Sequence, residues 1–242
     1  TNTIYGSSAI GALDASDWTI EKNTFNDIGR FDGTEAGCTQ TAHLFNDHGL
    51  YIETVDTITI KNNIFYNIYR GWPIMFYHSG SSVPSINVKI LNNTMVGTAP
   101  YSGGGHVMYA EPGVTNSVIA NNISYQPKNG YMMQYYFQGT PNISNIQVQN
   151  NLTYQGVVSA ASPPAGISFS GNLDNTNPTF VDIGTYNFHL LAGSPAIDAG
   201  LTEAAVTTDF SGTARPQGAA YDIGAYEFGG CATPFPTGSF CG

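Results

Sequence analysis

Four Asn-Asn doublets, at 62–63, 92–93, 121–122 and 150–151, recur along the chain at spacings of 30, 29 and 29 residues. Each follows a short alternating apolar run and precedes another apolar residue, as ITIKNNIF (58–65), VKILNNTM (88–95), SVIANNIS (117–124) and IQVQNNLT (146–153). Copies with a single Asn stand at WTIEKNTF (18–25) and ISFSGNLD (167–174), which makes six. A fixed period of this length is the mark of a stacked supersecondary unit. A second strand-like segment precedes each of the first five copies: AIGAL (9–13), HGLYIE (48–53), GWPIMFYH (71–78), GGHVMYAE (104–111) and GYMMQYYF (130–137). No helical period lies between them. Two or three short strands per repeat, with no helix to make a crossover, describe a coil of parallel strands. Each turn of such a coil lies about 4.8 Å from the last, so six turns are on the order of 29 Å long. Asn suits the corners because it tolerates the left-handed backbone conformation. Its amide can also bond to an identical Asn one turn away, forming a ladder. Either Asn of a doublet satisfies these demands, so the register stays open by one residue.

Composition agrees and removes several functional classes. The 242 residues hold 7 Lys+Arg against 17 Asp+Glu, a net charge of −10, and only 10% of residues are charged. Neutral polar residues must therefore carry the solubility. A chain this acidic, with no basic cluster, does not neutralise a phosphate backbone, which excludes nucleic acid as a partner. No apolar run reaches the 18 or so residues of a membrane-spanning helix. The opening TNTIYGSSAIG has neither the basic stretch nor the apolar core of a leader, and the expectation is a mature, truncated or cytosolic start. With 28 Gly, 15 Tyr and 13 Phe, the composition is that of an ordered all-β protein.

Residues 7–175 resemble the right-handed parallel β-helix proteins of the pectate-lyase-like superfamily, most clearly over HGLYIETVDTITIKNNIF (48–65). Four later motifs resemble the module that closes many bacterial secreted members: NPTFVD (177–182), YNFHLLAGSPAIDAG (186–200), TDFSGTARP (208–216) and YDIGAYEF (221–228). The resemblance implies an all-β, right-handed, single-stranded parallel β-helix of about six rungs. It implies β-helix repeats over 1–175, a closing module that caps the helix over 176–229, and a Cys/Pro/Gly tail over 230–242. The superfamily is functionally mixed, spanning polysaccharide lyases, epimerases, glycosidases and adhesins, so the fold alone assigns no reaction.

The strongest chemical constellation comes from aligning the repeats. Asp47-His48, Arg70-Gly71-Trp72 and Gly104-Gly105-His106 begin equivalent strands, which stacking would bring into one column. Tyr51, Tyr77, His78 and Tyr109 lie farther along those strands, and Lys61 lies on the following one. Uronate lyases and epimerases remove a proton next to a carboxylate, and need a base, a proton donor and a cation. On that reading His48 is the base, Tyr51 or Tyr77 the acid and Arg70 the carboxylate partner. Trp72 is the sugar platform, with Asp47, His78, His106 and Lys61 as further binding groups. Against it, Asp-His-Gly is an ordinary corner in which both side chains bond backbone groups, and Arg70 pairs simply with Asp47. The surplus of negative charge also disfavours a polyanionic substrate unless bound Ca²⁺ compensates.

Other constellations are weaker. A glycosidase needs paired carboxylates, and Asp47, Glu53, Asp56 and Glu111 show no privileged spacing. Asp198, Asp209, Asp222 and Glu227 offer oxygen ligands for Ca²⁺ but are scattered through separate motifs, which favours turn capping over a metal site. Asn-x-Ser/Thr sequons occur at Asn92, Asn122, Asn142 and Asn151, and three of these fall inside doublets. Of the three cysteines, Cys231 and Cys241 bracket a short tail and suit one disulfide loop, which implies an oxidising compartment and leaves Cys38 odd.

Two functional classes follow. One is a secreted protein that acts on or binds an extracellular polysaccharide or cell-surface glycan, by lyase-type β-elimination if it is catalytic, and without a resident cofactor unless Ca²⁺ serves. The other is a non-catalytic adhesin, surface-layer or filament subunit that self-associates end to end through open strand edges.

Overall fold

The computed structural model describes residues 8–29, 47–97 and 104–229. Its strands come in triplets. The first is β1 (Ser8–Leu13), β2 (Ser16–Glu21) and β3 (Thr24–Ile28), and the second β4 (His48–Glu53), β5 (Asp56–Lys61) and β6 (Ile64–Ile68). The third is β7 (Ile74–Phe76), β8 (Ser85–Leu91) and β9 (Thr94–Val96), followed by β10 (Val107–Ala110), β11 (Gly113–Ala120) and β12 (Ile123–Tyr125). Then come β13 (Tyr131–Tyr136), β14 (Asn142–Gln149) and β15 (Leu152–Tyr154), and last β16 (Val157–Ser159) and β17 (Ile167–Ser170). Three parallel sheets each collect every third strand: β1-β4-β7-β10-β13-β16, β2-β5-β8-β11-β14-β17 and β3-β6-β9-β12-β15. This order is consistent with a parallel β-helix. The all-β class read from the repeats is therefore present.

Identical positions stack in columns. Ile20, Ile60, Ile90, Ile119, Val148 and Phe169 pair strand to strand on the inner side of the second sheet. All but Phe169 meet Leu50, Ile52, Ile74, Phe76, Val107 and Tyr109 of the first sheet in one continuous core. β-branched side chains fill such columns well because they pack on their own copies across a pleated surface.

The doublets resolve into two roles, which settles the register left open above. The first residue of each, Asn62, Asn92, Asn121 and Asn150, has φ between 47° and 57° and makes the left-handed corner. Lys22 and Gly171 hold that position in the single-Asn copies, at φ 56° and 63°. The second residue points inward. The Nδ2 of Asn23, Asn63, Asn93, Asn122 and Asn151 donates to Oδ1 of the next Asn in the series, ending at Asn172, over 2.9–3.1 Å. The same Oδ1 atoms also accept the backbone N–H of the preceding Asn. A second amide hydrogen of each interior Asn reaches a strand carbonyl of the previous turn, such as Asn93 to Ile60 and Asn122 to Ile90. Asn63, Asn93, Asn122 and Asn151 are fully buried, and so is every sequon Asn except the exposed Asn142.

The first residues of the doublets face outward and hold the segment after residue 176. Asn62 Nδ2 donates to Thr208 O, Asn92 to Asp222 O, Asn121 to Leu201 O and Asn150 to Ala199 O. This segment, with the hairpin β18 (Phe180–Asp182) and β19 (Asn187–Leu190), lies along the side of the stack. It covers the outer face of the third sheet, where Phe180, Phe188, Leu190 and Ile223 pack on Ile64, Ile123 and Leu152. These contacts run along the flank of the strands, where the doublets offer a row of amides.

Four acids of the segment spend their oxygens on backbone amides: Asp198 on Ala220, Asp209 on Thr213 and Glu227, Asp222 on Asp198 and Phe228, and Glu227 on Asp222 and Gln217. Arg215 anchors them through a buried 2.6 Å bond to Glu227 and a bond to Gly224 O. No group of three or more His, Cys, Asp or Glu side chains able to hold a metal occurs among the described residues. Cys38, Cys231 and Cys241 lie outside them.

The two Asn roles separate energetically. Asn93→Ala strands the N–H of Asn63 and takes the Nδ2 donor from Ile60 O inside the core, and removing a buried partner costs about 1–3 kcal/mol per group left unsatisfied. Asn121→Ala breaks its two bonds to the partly exposed Leu201 and one long bond of 3.3 Å to Asn92, worth on the order of 2 kcal/mol together. Urea unfolding should show the larger loss for Asn93→Ala; equal losses would refute the division of labour.

Candidate functional site

Three outer faces are available and they differ. The third is covered by the C-terminal segment. The second is polar, with Thr59, Asn87, Lys89 and Asn116 at or near the surface. The first carries aromatic and sulfur side chains. Its central outward column runs Gly11, Tyr51, Met75, Met108, Gln134, one residue per strand. Tyr77, Ala110 and Tyr136 continue beside it, and Trp72, Met108 and Ala110 form a small apolar cluster with Met75 and Tyr77. Tyr51, Met75 and Tyr77 are half-exposed, and Tyr136 is 52% exposed.

Trp72 is clamped rather than free. Its Nε1 donates to Gln134 Oε1 at 2.6 Å, across the intervening strand. Gly105 lies between, and its N–H donates to the same oxygen at 2.7 Å. A Cβ at Gly105 would come within 2.9 Å of Gln134 Cγ, so only glycine leaves this crossing open. Trp72 is 9% exposed and presents a fixed edge to the face.

His48 stacks between Tyr51 and Trp72, with ring centroids 5.4 and 5.7 Å away and interplanar angles of 25° and 20°. Its Nδ1 accepts the Trp72 backbone N–H at 3.1 Å, so in the neutral ring the proton sits on Nε2. Burial pushes the imidazole down to about 4, with the Asp47 charge acting weakly the other way. Gly71 closes over it, since a Cβ there would lie 2.5 Å from both His48 Nδ1 and Asp47 O. His48 is therefore a neutral, buried ring whose Nδ1 lone pair is already engaged. Burial, followed by the Glu53 and Tyr77 neighbours, pushes the Tyr51 hydroxyl up to about 12, which keeps it a proton holder.

The other sequence candidates fall in several places. Asp47 and Arg70 are buried beside Gly29, at the start of the strands. His106 does not join the His48 column. The pairing of Leu50, Ile74 and Val107 sets His48 level with Trp72 and Gly105. His106 is thus one residue farther on, and its Nδ1 lies 2.8 Å from Ser124 Oγ on β12, inside the coil. Burial pushes it down to about 3. Lys61 lies on the second sheet, paired with Glu21 at 2.9 Å and donating to Ala205 O at 2.7 Å, and so serves the C-terminal segment.

His78 does reach the first sheet's rim. Its Nδ1 is 2.6 Å from Thr54 Oγ1 and its Nε2 is 3.8 Å from Glu53 Oε2. Its backbone N–H donates to Glu111 O at 2.8 Å. Glu111 in turn accepts the Gln138 N–H through Oε1 at 2.6 Å, and lines an open hollow of about 360 Å³ with Ser81, Ser82, Phe137 and Asn142.

The site is therefore an aromatic, methionine-rich face whose rim carries Glu53, His78 and Glu111. Sequence reasoning found Tyr51, Trp72, Tyr77 and His78, and missed Met75, Met108, Gln134 and Tyr136 as outward residues. Counting alternate positions from Tyr51 along each aligned strand supplies three of them; Gln134 as the clamp of Trp72 needs the register. No protein-family model matches the chain, and no curated protein sequence matches it.

The neutral imidazoles give stability a definite pH dependence. An unfolded His takes up a proton near 6.5, whereas folded His48 resists until about 4. Above 6.5 it has no effect, and between 6.5 and 4 the unfolded state gains by about 1.4 kcal/mol per pH unit. Asp222, raised to about 6 by burial, acts in the opposite sense as the pH falls below that value. The comparison is therefore with His48→Gln, in which the His48 contribution alone is gone. The stability gap between wild type and variant should narrow on going from neutral pH to pH 4 in thermal melts. A constant gap would mean that His48 titrates as an ordinary histidine.

Proposed function

We propose that the chain is a right-handed parallel β-helix protein of about six rungs, of the pectate-lyase-like kind, that works outside the cytoplasm and binds an extracellular polysaccharide across the outer face of its first sheet. The segment over 176–229 then serves as a closing module that buttresses the flank of the helix. The observation that carries the reading is the outward column of Tyr51, Met75 and Met108 with Tyr77 and Tyr136 alongside, on a face whose strands hold no Lys or Arg. Aromatic side chains offer flat apolar area with a polar tip, which suits the faces and hydroxyls of sugar rings. The column runs along the axis of the stack, which suits a linear chain crossing several strands. Parallel strands joined in this order are right-handed in nearly every known case, which supports the handedness.

Binding is better supported than β-elimination. Tyr51 and Tyr77 lie on the outward face, but the base and cation assigned with them, His48 and Arg70, are buried at the strand starts.

A second reading, end-to-end self-association as a structural subunit, draws on two residues. Trp18 pairs with the buried Ile58, and Phe169 with the buried Val148, yet Trp18 is 42% exposed and Phe169 39% on the first and last triplets. Inward positions left open at both ends invite another strand layer. Sedimentation velocity over a wide concentration range should then show growing species, and a constant monomer would remove this reading.

For the first reading, affinity electrophoresis against a panel of neutral, acidic and amino polysaccharides should retard the protein in at least one. Tyr77→Ala should weaken that interaction about tenfold, as loss of roughly 1.4 kcal/mol of ring contact requires. Lys89→Ala, on the second sheet, should leave it unchanged. Equal mobility in every gel, or equal effects of the two substitutions, would refute the reading. A rise in ultraviolet absorbance from unsaturated uronate ends, during incubation with the same panel, would add elimination to it.

A further inference from the structure

The strands of the first sheet, SAIGAL, HGLYIE, IMF, VMYA, YMMQYY and VVS, contain no Lys or Arg. Among the described cations, Lys22, Lys61 and Lys89 belong to the second sheet and its corner, and Arg215 is buried in the C-terminal segment. Arg70 and Lys128 precede β7 and β13, at the starts of those strands. The opposite rim, where the strands of the first sheet end, carries Glu53 and Glu111. The two come from alternate triplets, two strand steps apart, or about 10 Å along the stack. Between them sits His78, 3.8 Å from Glu53 Oε2 and bonded through its N–H to Glu111 O. Glu53 and Glu111 are both partly exposed, and Glu111 accepts the Gln138 N–H through Oε1. A ligand on the aromatic column thus meets a negative edge, on a protein of net charge −10, and that field repels a polyanion and attracts a cation.

We propose that this face selects glycans bearing protonated amino groups, and that Glu53 and Glu111 are the selecting residues. The proposal rests on the glycan-binding reading given above and adds the chemical class of the ligand. The aromatic column supplies contact common to any sugar chain. The two carboxylates supply the discrimination, since an ammonium group beside each gains an ion pair and a uronate meets like charge. Thr54 and Gln138 matter as positioning residues: the Thr54–His78 bond fixes the imidazole against Glu53, and the Gln138 N–H fixes the Glu111 carboxylate.

The test uses three hexasaccharides at mildly acidic pH, where sugar amines are protonated and carboxylates ionised, in low and high salt, followed by calorimetry on the full chain. Glucosamine hexamer and its N-acetylated form share one backbone and differ in charge, and oligogalacturonate is the anionic probe. The glucosamine hexamer should bind about threefold to tenfold more tightly than the acetylated one, as one or two partly exposed ion pairs allow, and salt should erase the difference. Glu53→Gln and Glu111→Gln should each reduce the preference by weakening the glucosamine hexamer severalfold more than the acetylated one, whereas Lys89→Ala, on the second sheet, should leave both affinities unchanged. Equal binding of the charged and acetylated hexamers, or tighter binding of oligogalacturonate, would overturn the charge selection. The glycan-binding reading would survive either result if Tyr77→Ala still weakened the complex. Binding of none of the three would overturn both.

Discussion

The inner Asn of each repeat is the interaction on which the rest of the structure depends. A corner in the left-handed conformation leaves backbone groups facing the interior, where water cannot reach them. Each inner amide satisfies its own neighbours, then hands one acceptor to the turn before and takes one from the turn after. A buried polar chain of this kind is stabilising only if every member is bonded. That condition fixes the spacing of the repeats at one strand step and admits no slip by a residue. A slip would turn the isoleucine columns outward and the outer Asn inward together.

The same doublet also determines where the C-terminal segment goes. Outer amides at Asn62, Asn92, Asn121 and Asn150 form a row along one corner, and the segment bonds to all four. The single-Asn copies lie at the two ends of this row. There Lys22 still reaches Thr208 Oγ1, whereas Gly171 has no side chain to offer. The difference between doublet and singlet copies, which looks like decay of the repeat in one dimension, thus follows the length of the covered flank. Coverage of the third sheet and polarity of the middle of the second leave the first sheet as the face with an outward column of aromatic and methionine side chains. Fold and candidate site are connected through that arrangement.

Legibility was uneven for physical reasons. Apolar alternation and the Asn period depend on neighbours in sequence and on a constant strand step, so the strands, their parallel stacking and the inner columns could be read directly. The aromatic residues of the face were readable in part, since Tyr51 and Tyr77 lie on aligned segments. The column built on His48, Arg70 and His106 was not. It presumed that residues before each strand keep the strand's register and orientation. Near Gly49 and Gly105 the chain turns inward: His106 goes to Ser124 inside the coil, and His48 is sealed by Trp72 and Gly71. Burial of an imidazole depends on what packs over it, and no local pattern reports that.

By itself, the sequence determined an all-β chain of short repeated parallel strands with Asn at the corners, poor in cations. These properties are set by periodicity and charge, which are sums over the chain. Tertiary structure alone decided which Asn of each doublet faces the core, that the closing motifs lie along the flank, and that the first sheet carries an aromatic face with an acidic rim. Those outcomes turn on single-residue register and on contacts between segments more than a hundred residues apart, such as Asn92 with Asp222. A one-dimensional pattern leaves such contacts undetermined until the stack exists to impose them.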